Sequence, residues 1–326
     1  MHYSTINGID KPVSRLVLGT MIVDDREQER SFRLLDEAFA LGCTALDTAN
    51  VYAGGHSERG IGAWMQARGC REQMLILSKG CHPNADRRRV TPSDLAADLL
   101  DALARLQTDY IDIYLLHRDD PALPVGPIVE AFNEHYAAGR IRAFGGSNWT
   151  HRRIAEANDY AARHGLVPFT VSSPNYGLAE QVQDPWGPGC VTLSGPANAE
   201  ARAWYAANGM PVFAYSSLAR GFFSGRLTPD NVDAAATLLD RAACTAYYHP
   251  VNVERLRRVT QLAAEKDCTV PQAALAYILH APLNVFALVG AATGAEFAEN
   301  VKAFDIALSD AERAWLNLET SHCQAR

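Results

Sequence analysis

The stretch Ile111-Asp-Ile-Tyr-Leu-Leu-His117 is a short apolar run that ends in a titratable residue. Apolar residues at helical spacing follow over 125–138, and a second short apolar run follows over 141–146. A strand, a helix and another strand in this order predict a β-α-β unit with two parallel strands. Similar apolar runs and helical spacings alternate elsewhere: strands are predicted at 16–19, 44–47, 75–79, 169–172, 212–215 and 286–289, and helices at 30–41, 93–106, 152–164 and 252–266.

Eight strands with intervening helices predict a closed parallel (β/α)8 barrel of the α/β class. An open dinucleotide-binding sheet would carry G-x-G-x-x-G after its first strand, and Leu16-Val-Leu-Gly-Thr-Met21 does not. Two short strands around Asn7-Gly8 predict an N-terminal β-hairpin before the barrel, and an additional helix is expected at the C-terminal end. No linker interrupts the pattern, so 1–326 is predicted to form one barrel domain. The long stretches 178–196 and 221–250 are expected to lie over the active site.

Composition excludes several classes of partner. The chain of 326 residues is 48% hydrophobic and 21% charged, which suits a globular protein with a large core. Its net charge of −7 argues against nucleic acid, since phosphate binding needs a basic face. No apolar run is long enough to span a membrane, and the first residues do not resemble a signal peptide.

The cysteines and histidines give no metal or disulfide pattern. The seven cysteines are scattered and never spaced as C-x-x-C, and the ten histidines form no H-E-x-x-H pair. We therefore expect no bound metal and a reducing, cytoplasmic environment. The oligomeric state is not indicated by the sequence.

Titratable residues follow several predicted strands. Asp47 ends the second barrel strand and Tyr52 lies in the loop after it, while Lys79 and His117 end the third and fourth strands. In a (β/α)8 barrel the C-terminal ends of adjacent strands meet on one face, which carries the active site. These four side chains are therefore expected to converge.

Their chemistry suits carbonyl reduction. A tyrosine hydroxyl keeps its proton at neutral pH and can donate it, and an adjacent ammonium should lower its pKa toward the working pH. Lys79 can supply that charge, with Asp47 paired to it, and His117 can orient a substrate carbonyl. Each residue alone has an ordinary explanation, as a helix cap, a packing residue, a solvated lysine or an interior histidine. The hypothesis depends on all four occurring at successive strand ends.

Several longer motifs accompany these residues. They are Leu46-Asp-Thr-Ala-Asn-Val-Tyr52, Gly54-Gly-His-Ser-Glu58, Ile76-Leu-Ser-Lys79, Tyr110-Ile-Asp-Ile-Tyr-Leu-Leu-His117, Gly145-Gly-Ser-Asn148, Ala214-Tyr-Ser-Ser-Leu-Ala-Arg-Gly221 and Glu299-Asn300. In order and spacing, over nearly the whole chain, the sequence resembles the aldo-keto reductase superfamily. The resemblance implies a barrel that binds a nicotinamide cofactor and interconverts an aldehyde or ketone with its alcohol. It implies Tyr52 as general acid/base, completed by Asp47, Lys79 and His117.

The resemblance also implies a path for the cofactor. Ser147 and Asn148 match the pair that holds the nicotinamide carboxamide, and Tyr215 matches the aromatic residue stacked on the ring. The remaining cofactor contacts implied by the family are Asp47, the first-strand turn Gly19, Thr20 and Met21, the pyrophosphate loop Ser216, Ser217, Leu218, Ala219, Arg220 and Gly221, and the adenosine-end residues Gly290, Glu296 and Asn300.

Two positions depart from the family pattern. Ser173 stands where many members have a glutamine that contacts the carboxamide, so its shorter hydroxyl reaches directly, works through water, or leaves that contact to Asn148. At the adenosine end, Glu296 and Gly290 replace the basic residues of NADPH-selective members, and no Lys or Arg occurs between Lys266 and Lys302. A 2′-phosphate seeks cations, whereas a glutamate suits a ribose hydroxyl. We therefore expect NAD(H) to be favoured, with NADP(H) as the alternative; the ordinary interpretation is that Glu296 merely faces solvent.

The substrate is expected to be a small carbonyl or alcohol compound, bounded by Met21, Tyr52, His117, Trp149 and Trp186. Aromatic walls beside polar groups suit a sugar-like compound and a bulky natural product equally, and Trp186 could instead pack within its own loop. Two other functions remain open. One is a lyase with Lys79 as Schiff-base nucleophile, which pairing with Asp47 disfavours. The other is a nicotinamide-binding redox-sensing regulatory subunit, which only a turnover measurement would separate from an enzyme.

Overall fold

The computed structural model describes residues 1–323. Within these residues the structure contains ten strands, and the barrel strands are short and almost entirely buried because helices cover their outer faces. The strands are β1 Tyr3–Ile6, β2 Ile9–Ser14, β3 Leu16–Gly19, β4 Ala45–Asp47, β5 Leu75–Gly80, β6 Ile111–Leu116, β7 Ile141–Ser147, β8 Val171–Ser173, β9 Val212–Ala214 and β10 Val285–Val289.

Strands β3 to β10 form a closed parallel barrel in which β10 pairs with both β9 and β3. The register brings successive strand ends to one level: Gly19 pairs with Asp47, and Lys79 pairs with Leu115. The predicted (β/α)8 barrel is confirmed. The predicted site residues therefore lie on the same open face.

Twelve helices accompany the strands in the described residues. They are α1 Gln28–Ala40, α2 His56–Arg68, α3 Pro92–Leu106, α4 Gly126–Ala137, α5 His151–His164, α6 Ala199–Asn208, α7 Ala235–Leu238, α8 Arg241–Tyr247, α9 Pro250–Glu265, α10 Val270–Leu279, α11 Gly294–Val301 and α12 Asp310–Leu316. Helix α12 is the additional C-terminal helix that was expected, and Ser309 and Glu312 form a capping box at its start. The stretch 221–250 is less irregular than predicted, because α7 and α8 lie within it.

The barrel interior is filled by apolar side chains, and the hairpin of β1 and β2 closes its lower end. Ile6, Ile9 and Val13 of the hairpin belong to the same buried cluster as the interior residues, among which Phe213 and Phe286 stack at 4.8 Å. Arg15, just after the hairpin, donates to Asn284 and to the carbonyl of Val285 at the start of β10. The predicted hairpin is confirmed, and it lies at the N-terminal ends of the strands, opposite the candidate site. Among residues 1–323, no helix has the length and apolar character needed to cross a membrane.

Candidate active site

The four side chains predicted to act together lie together above the barrel. The Lys79 ammonium donates to Asp47 Oδ1 at 2.5 Å, to the carbonyl of Thr48 at 2.9 Å and to the Tyr52 hydroxyl at 3.3 Å. The rings of Tyr52 and His117 meet edge to face, with centroids 6.0 Å apart. Asp47 and Lys79 are 3% and 2% exposed, so their ion pair is shielded from solvent.

Backbone conformation brings Tyr52 back over the barrel. Tyr52–Gly55 forms a single tight turn directly before α2, and Ala53, Gly54 and Gly55 all have positive φ. Three successive residues in the left-handed region bend the chain sharply, and glycine permits this at low cost at two of the three positions. On the next strands, the backbone N–H of His117 donates to the carbonyl of Gly80 at 2.8 Å, which fixes the height of His117 beside Lys79.

A buried ion pair supports this turn from beneath. Glu58 of α2 is fully buried; it accepts from Ser78 Oγ at 2.7 Å and from the Arg105 guanidinium at 3.2 Å. Arg105 also donates to the carbonyl of Asn50 at 3.2 Å, and a Cβ on Gly55 would lie only 2.7 Å from its guanidinium. No such role was predicted from the sequence for Glu58 or Arg105. Glu58 appeared in a motif, but Arg105 lies 47 residues away on another helix, and no local pattern joins them.

The protonation states suit a proton donor. Burial raises the pKa of Tyr52 above its ordinary value, more than the Lys79 ammonium lowers it. The expectation of a lowered tyrosine pKa is therefore not met, because desolvation and the Asp47 carboxylate outweigh the lysine charge. Burial and the Lys79 charge hold the pKa of His117 well below its ordinary value, so this imidazole is neutral at physiological pH.

Lys79 is held as a charged donor. Burial alone would lower its pKa, but the Asp47 carboxylate and the Tyr52 hydroxyl outweigh that effect and raise it. A Schiff-base nucleophile needs a neutral amine with a free lone pair. The contacts of Lys79 thus oppose the lyase hypothesis.

Asn148 is already fully hydrogen-bonded in this structure. Its Oδ1 accepts from the Tyr215 hydroxyl at 2.7 Å and from the N–H of Val191 at 3.1 Å. Its Nδ2 donates to the carbonyl of His117 and to Ser147 Oγ, each at 3.2 Å. For Asn148 to bind a carboxamide, as the family resemblance implies, some of these partners must be exchanged.

The hydroxyl of Ser173 points elsewhere, donating to the carbonyl of Phe213 at 2.8 Å, while Ser147 Oγ donates to the carbonyl of Ser173 at 2.9 Å. Both residues are buried. In this arrangement the Ser173 hydroxyl would have to exchange its partner before it could contact a carboxamide.

The stretch 178–196 contacts several residues that are predicted to bind the cofactor. The Trp186 and Tyr215 rings are 6.0 Å apart, and the Arg220 guanidinium lies 5.1 Å from the centre of the Trp186 ring. Arg220 also pairs with Asp240 at 2.5 Å. Trp186 therefore contacts the predicted pyrophosphate loop and does not pack only within its own loop.

Comparison with known proteins gives the family of the chain. A model of the Aldo/keto reductase family matches residues 15–317. The chain belongs to this family. It is 28% identical over 324 residues to the uncharacterized oxidoreductase YrpG of Bacillus subtilis (strain 168). This alignment covers 94% of this chain and 92% of the relative.

Two further relatives carry more specific names. An aryl-alcohol dehydrogenase [NADP(+)] of Phanerodontia chrysosporium is 26% identical over 343 residues, covering 97% of this chain and 85% of the relative. Norsolorinic acid reductase stcV of Emericella nidulans is 26% identical over 329 residues, covering 92% of this chain and 76% of the relative. As a member of the aldo/keto reductase family, this chain is an oxidoreductase that acts on carbonyl and alcohol groups with a nicotinamide cofactor.

The other residues expected to contact the cofactor occupy the same face. Thr20 is buried and donates to the carbonyl of Asp47 at 2.8 Å, which ties the β3 turn to the Asp47 strand. The 216–221 loop is sharply bent, with positive φ at Ser216, Ala219, Arg220 and Gly221. Arg226 was not predicted to lie near the cofactor. A Cβ on Gly221 would lie 3.2 Å from its guanidinium, so a cation lies beside the predicted pyrophosphate loop.

At the predicted adenosine end, two carboxylates accept hydrogen bonds from backbone N–H groups near the start of α11. Glu296 accepts from the N–H of Ala292 at 2.7 Å, and Glu37 of α1 accepts from the N–H of Gly294 at 2.8 Å. Glu296 is exposed, which agrees with the interpretation that it faces solvent, but its carboxylate also accepts the hydrogen bond from Ala292. Asn300 is 6% exposed on the same helix, while Gly290 lies exposed before it. Glu37 could not be identified from the sequence, because it lies 257 residues away.

The residues predicted to bound the substrate differ in exposure: some lie at the open end of the barrel, here called the mouth, and one lies in the core. Met21 and Trp186 are exposed at 54% and 43%, whereas Trp149 is completely buried, donating from Nε1 to the carbonyl of Arg118 and packing on Phe169. Trp149 thus lies in the core beneath the mouth rather than on its open surface. Ile22, Val51 and Leu123 are additional exposed apolar residues on loops of the site face.

Proposed function

We propose that this protein reduces an aldehyde or ketone, with Tyr52 as proton donor and NAD(H) as the favoured cofactor. The contact of Lys79 with both Asp47 and the Tyr52 hydroxyl carries the proposal, because it stabilises the phenolate that proton donation leaves behind. The nicotinamide, when bound, supplies the hydride for the carbonyl carbon. The side chains of the protein donate the proton and orient the substrate carbonyl.

Tyr52 donates its hydroxyl proton to the carbonyl oxygen as that oxygen gains negative charge. Neutral His117 can orient the same oxygen. Its Nδ1 is buried without a partner among residues 1–323. An unpaired N–H would be more costly there than a bare nitrogen, so the ring proton belongs on Nε2, where it can be donated to the substrate.

The pH dependence should differ between the two directions. Protonated Tyr52 is the active form for reduction, and this form is lost only as pH approaches a pKa raised above about 10. We expect kcat/KM for reduction to stay level from about pH 6 to pH 9, whereas alcohol oxidation, which needs the deprotonated group, rises with pH. Initial rates in both directions at constant ionic strength test this. A reduction rate that falls with a midpoint near neutrality would assign the proton to another group.

The cofactor preference rests on the electrostatics around α11. The N–H groups of Ala292 and Gly294, which could bind a phosphate, already serve the carboxylates of Glu296 and Glu37. Neither of these negative charges favours a 2′-phosphate, while both are compatible with a ribose hydroxyl. Since the Phanerodontia chrysosporium relative is named as NADP(+)-dependent, the preference is proposed for this chain alone.

Glu296→Arg should therefore strengthen NADPH binding far more than NADH binding. Two unit charges about 4 Å apart interact by about 4 kcal/mol at an effective dielectric of about 20, and solvent reduces this considerably. Even about 1.4 kcal/mol corresponds to a tenfold change in affinity. Fluorescence titration of both proteins with both cofactors measures the change. Tighter binding of NADPH by the unmodified protein, or an equal shift for both cofactors, would contradict the assignment.

The apolar mouth favours a bulky substrate. Met21, Ile22, Val51, Leu123 and Trp186 are all exposed on loops of the site face. We propose an aromatic or comparably large carbonyl compound in preference to a simple sugar, in keeping with the names of the aryl-alcohol dehydrogenase and norsolorinic acid reductase relatives. A panel of aryl aldehydes, ketones and sugars assayed with NADH and NADPH tests this. Cofactor binding without turnover of any compound would instead support the redox-sensing subunit.

A further inference from the structure

His82 lies beside the four proposed active-site residues and has no role in the chemistry so far. It follows β5 by two residues, on the loop after the strand that carries Lys79. Its ring is 4.8 Å from that of His117, with an angle of 81° between the planes. The side chain is half-buried.

The hydrogen bonds of His82 fix where its proton lies. Nδ1 is 2.8 Å from the carbonyl oxygen of Pro83, and a carbonyl can only accept, so Nδ1 carries the hydrogen. Burial lowers the pKa of His82, and the Arg118 and Arg89 charges act in the same direction against the Pro83 contact. The ring is therefore neutral, and its Nε2 bears a lone pair. Nε2 makes no hydrogen bond to any residue within 1–323.

We propose that Nε2 of His82 accepts a hydrogen bond from a hydroxyl or N–H group that the substrate carries close to its carbonyl. The inference rests on the proposed reductase function and adds a substrate class to it. Tyr52 and His117 hold the carbonyl oxygen, and His82 adjoins His117 at van der Waals distance. A donor group close to the carbonyl of a substrate held by His117 would therefore lie beside the His82 ring. His82 selects hydroxylated carbonyl compounds by accepting from them.

The test uses matched benzaldehydes with a hydroxyl, a methyl or a methoxy group at the 2- or 3-position. A hydroxyl can donate, a methyl has similar size and no polarity, and a methoxy oxygen can only accept. We expect the unmodified protein to prefer the hydroxyl over the methyl compound by about threefold to tenfold in kcat/KM at one of these positions, the scale of one hydrogen bond. It should show no such preference for methoxy.

Two variants separate the acceptor from the ring. His82→Phe keeps an aromatic ring against His117 but removes the acceptor, so the hydroxyl-to-methyl ratio should fall to about one. His82→Gln places an amide oxygen near the position of Nε2 and should keep most of the ratio. An unchanged ratio in His82→Phe, equal loss in both variants, or no hydroxyl preference in the unmodified protein overturns the inference. Absence of turnover with every aldehyde would instead overturn the reductase function itself.

Discussion

Tyr52→Phe is expected to lower kcat for carbonyl reduction by at least about a hundredfold, because it removes a positioned proton donor. The phenylalanine ring keeps the edge-to-face contact with His117, so packing around the site should change little. Only the hydroxyl that lies 3.3 Å from Lys79 Nζ is lost. Cofactor affinity should remain close to that of the unmodified protein, since the hydroxyl is assigned to the substrate and not to the cofactor.

Stopped-flow or steady-state reduction of one aryl aldehyde gives kcat, and fluorescence titration gives the cofactor affinity. Tyr3→Phe is a matched control, because Tyr3 is exposed on the hairpin at the opposite end of the barrel. It should leave kcat within experimental error. A folded Tyr52→Phe variant with nearly normal kcat would remove Tyr52 from the mechanism.

Asp47→Asn and Lys79→Met are each expected to reduce kcat sharply, with a double variant much less active than the unmodified protein but not additively worse. Asp47 acts by keeping Lys79 charged and in place, so once one partner is lost the other has little left to contribute. Residues that work as a unit show this non-additivity. Losses that multiply in the double variant would mean that the two side chains act independently.

Stability must be measured alongside activity for these variants. Lys79→Met leaves the Asp47 carboxylate buried without its cation, and breaking a buried pair from one side costs about 3–5 kcal/mol. Rates should therefore be referred to the folded fraction, obtained from denaturant titration. Lys266→Met is a suitable comparison, because Lys266 pairs with Glu312 near the surface, where a lost pair costs about 1 kcal/mol or less.

The architecture could be predicted because it is recorded in local patterns. Each barrel strand was predicted to within about two residues, since a buried parallel strand is a short apolar run bounded by polar loops. The sixth barrel strand shows the limit: 169–172 was predicted and Val171–Ser173 was found, although Phe169 is also buried. The convergence of Asp47, Lys79 and His117 was predictable for the same reason, because the ends of neighbouring barrel strands lie side by side, whereas the position of Tyr52 also depends on the turn at 52–55.

Contacts between distant segments could not be predicted. Nothing near Asn148 indicates that Val191 and Tyr215 occupy its carbonyl oxygen, or that Glu37 reaches the start of α11. The sign of the Tyr52 pKa shift was missed for a related reason. The lysine charge is visible in the motif, whereas the degree of desolvation depends on how every neighbouring loop packs.

The N-terminal hairpin covers the end of the barrel opposite the candidate site. Ile6, Ile9 and Val13 belong to one buried apolar cluster with the side chains of the barrel interior, so the lower end of the barrel offers no polar path through this cluster. We therefore expect the proton that Tyr52 must recover after each turnover to arrive from the same face of the barrel as the substrate. Trp186 lies exposed on that face beside Tyr215, so we expect substitutions in its loop to affect reprotonation of Tyr52 as well as product release.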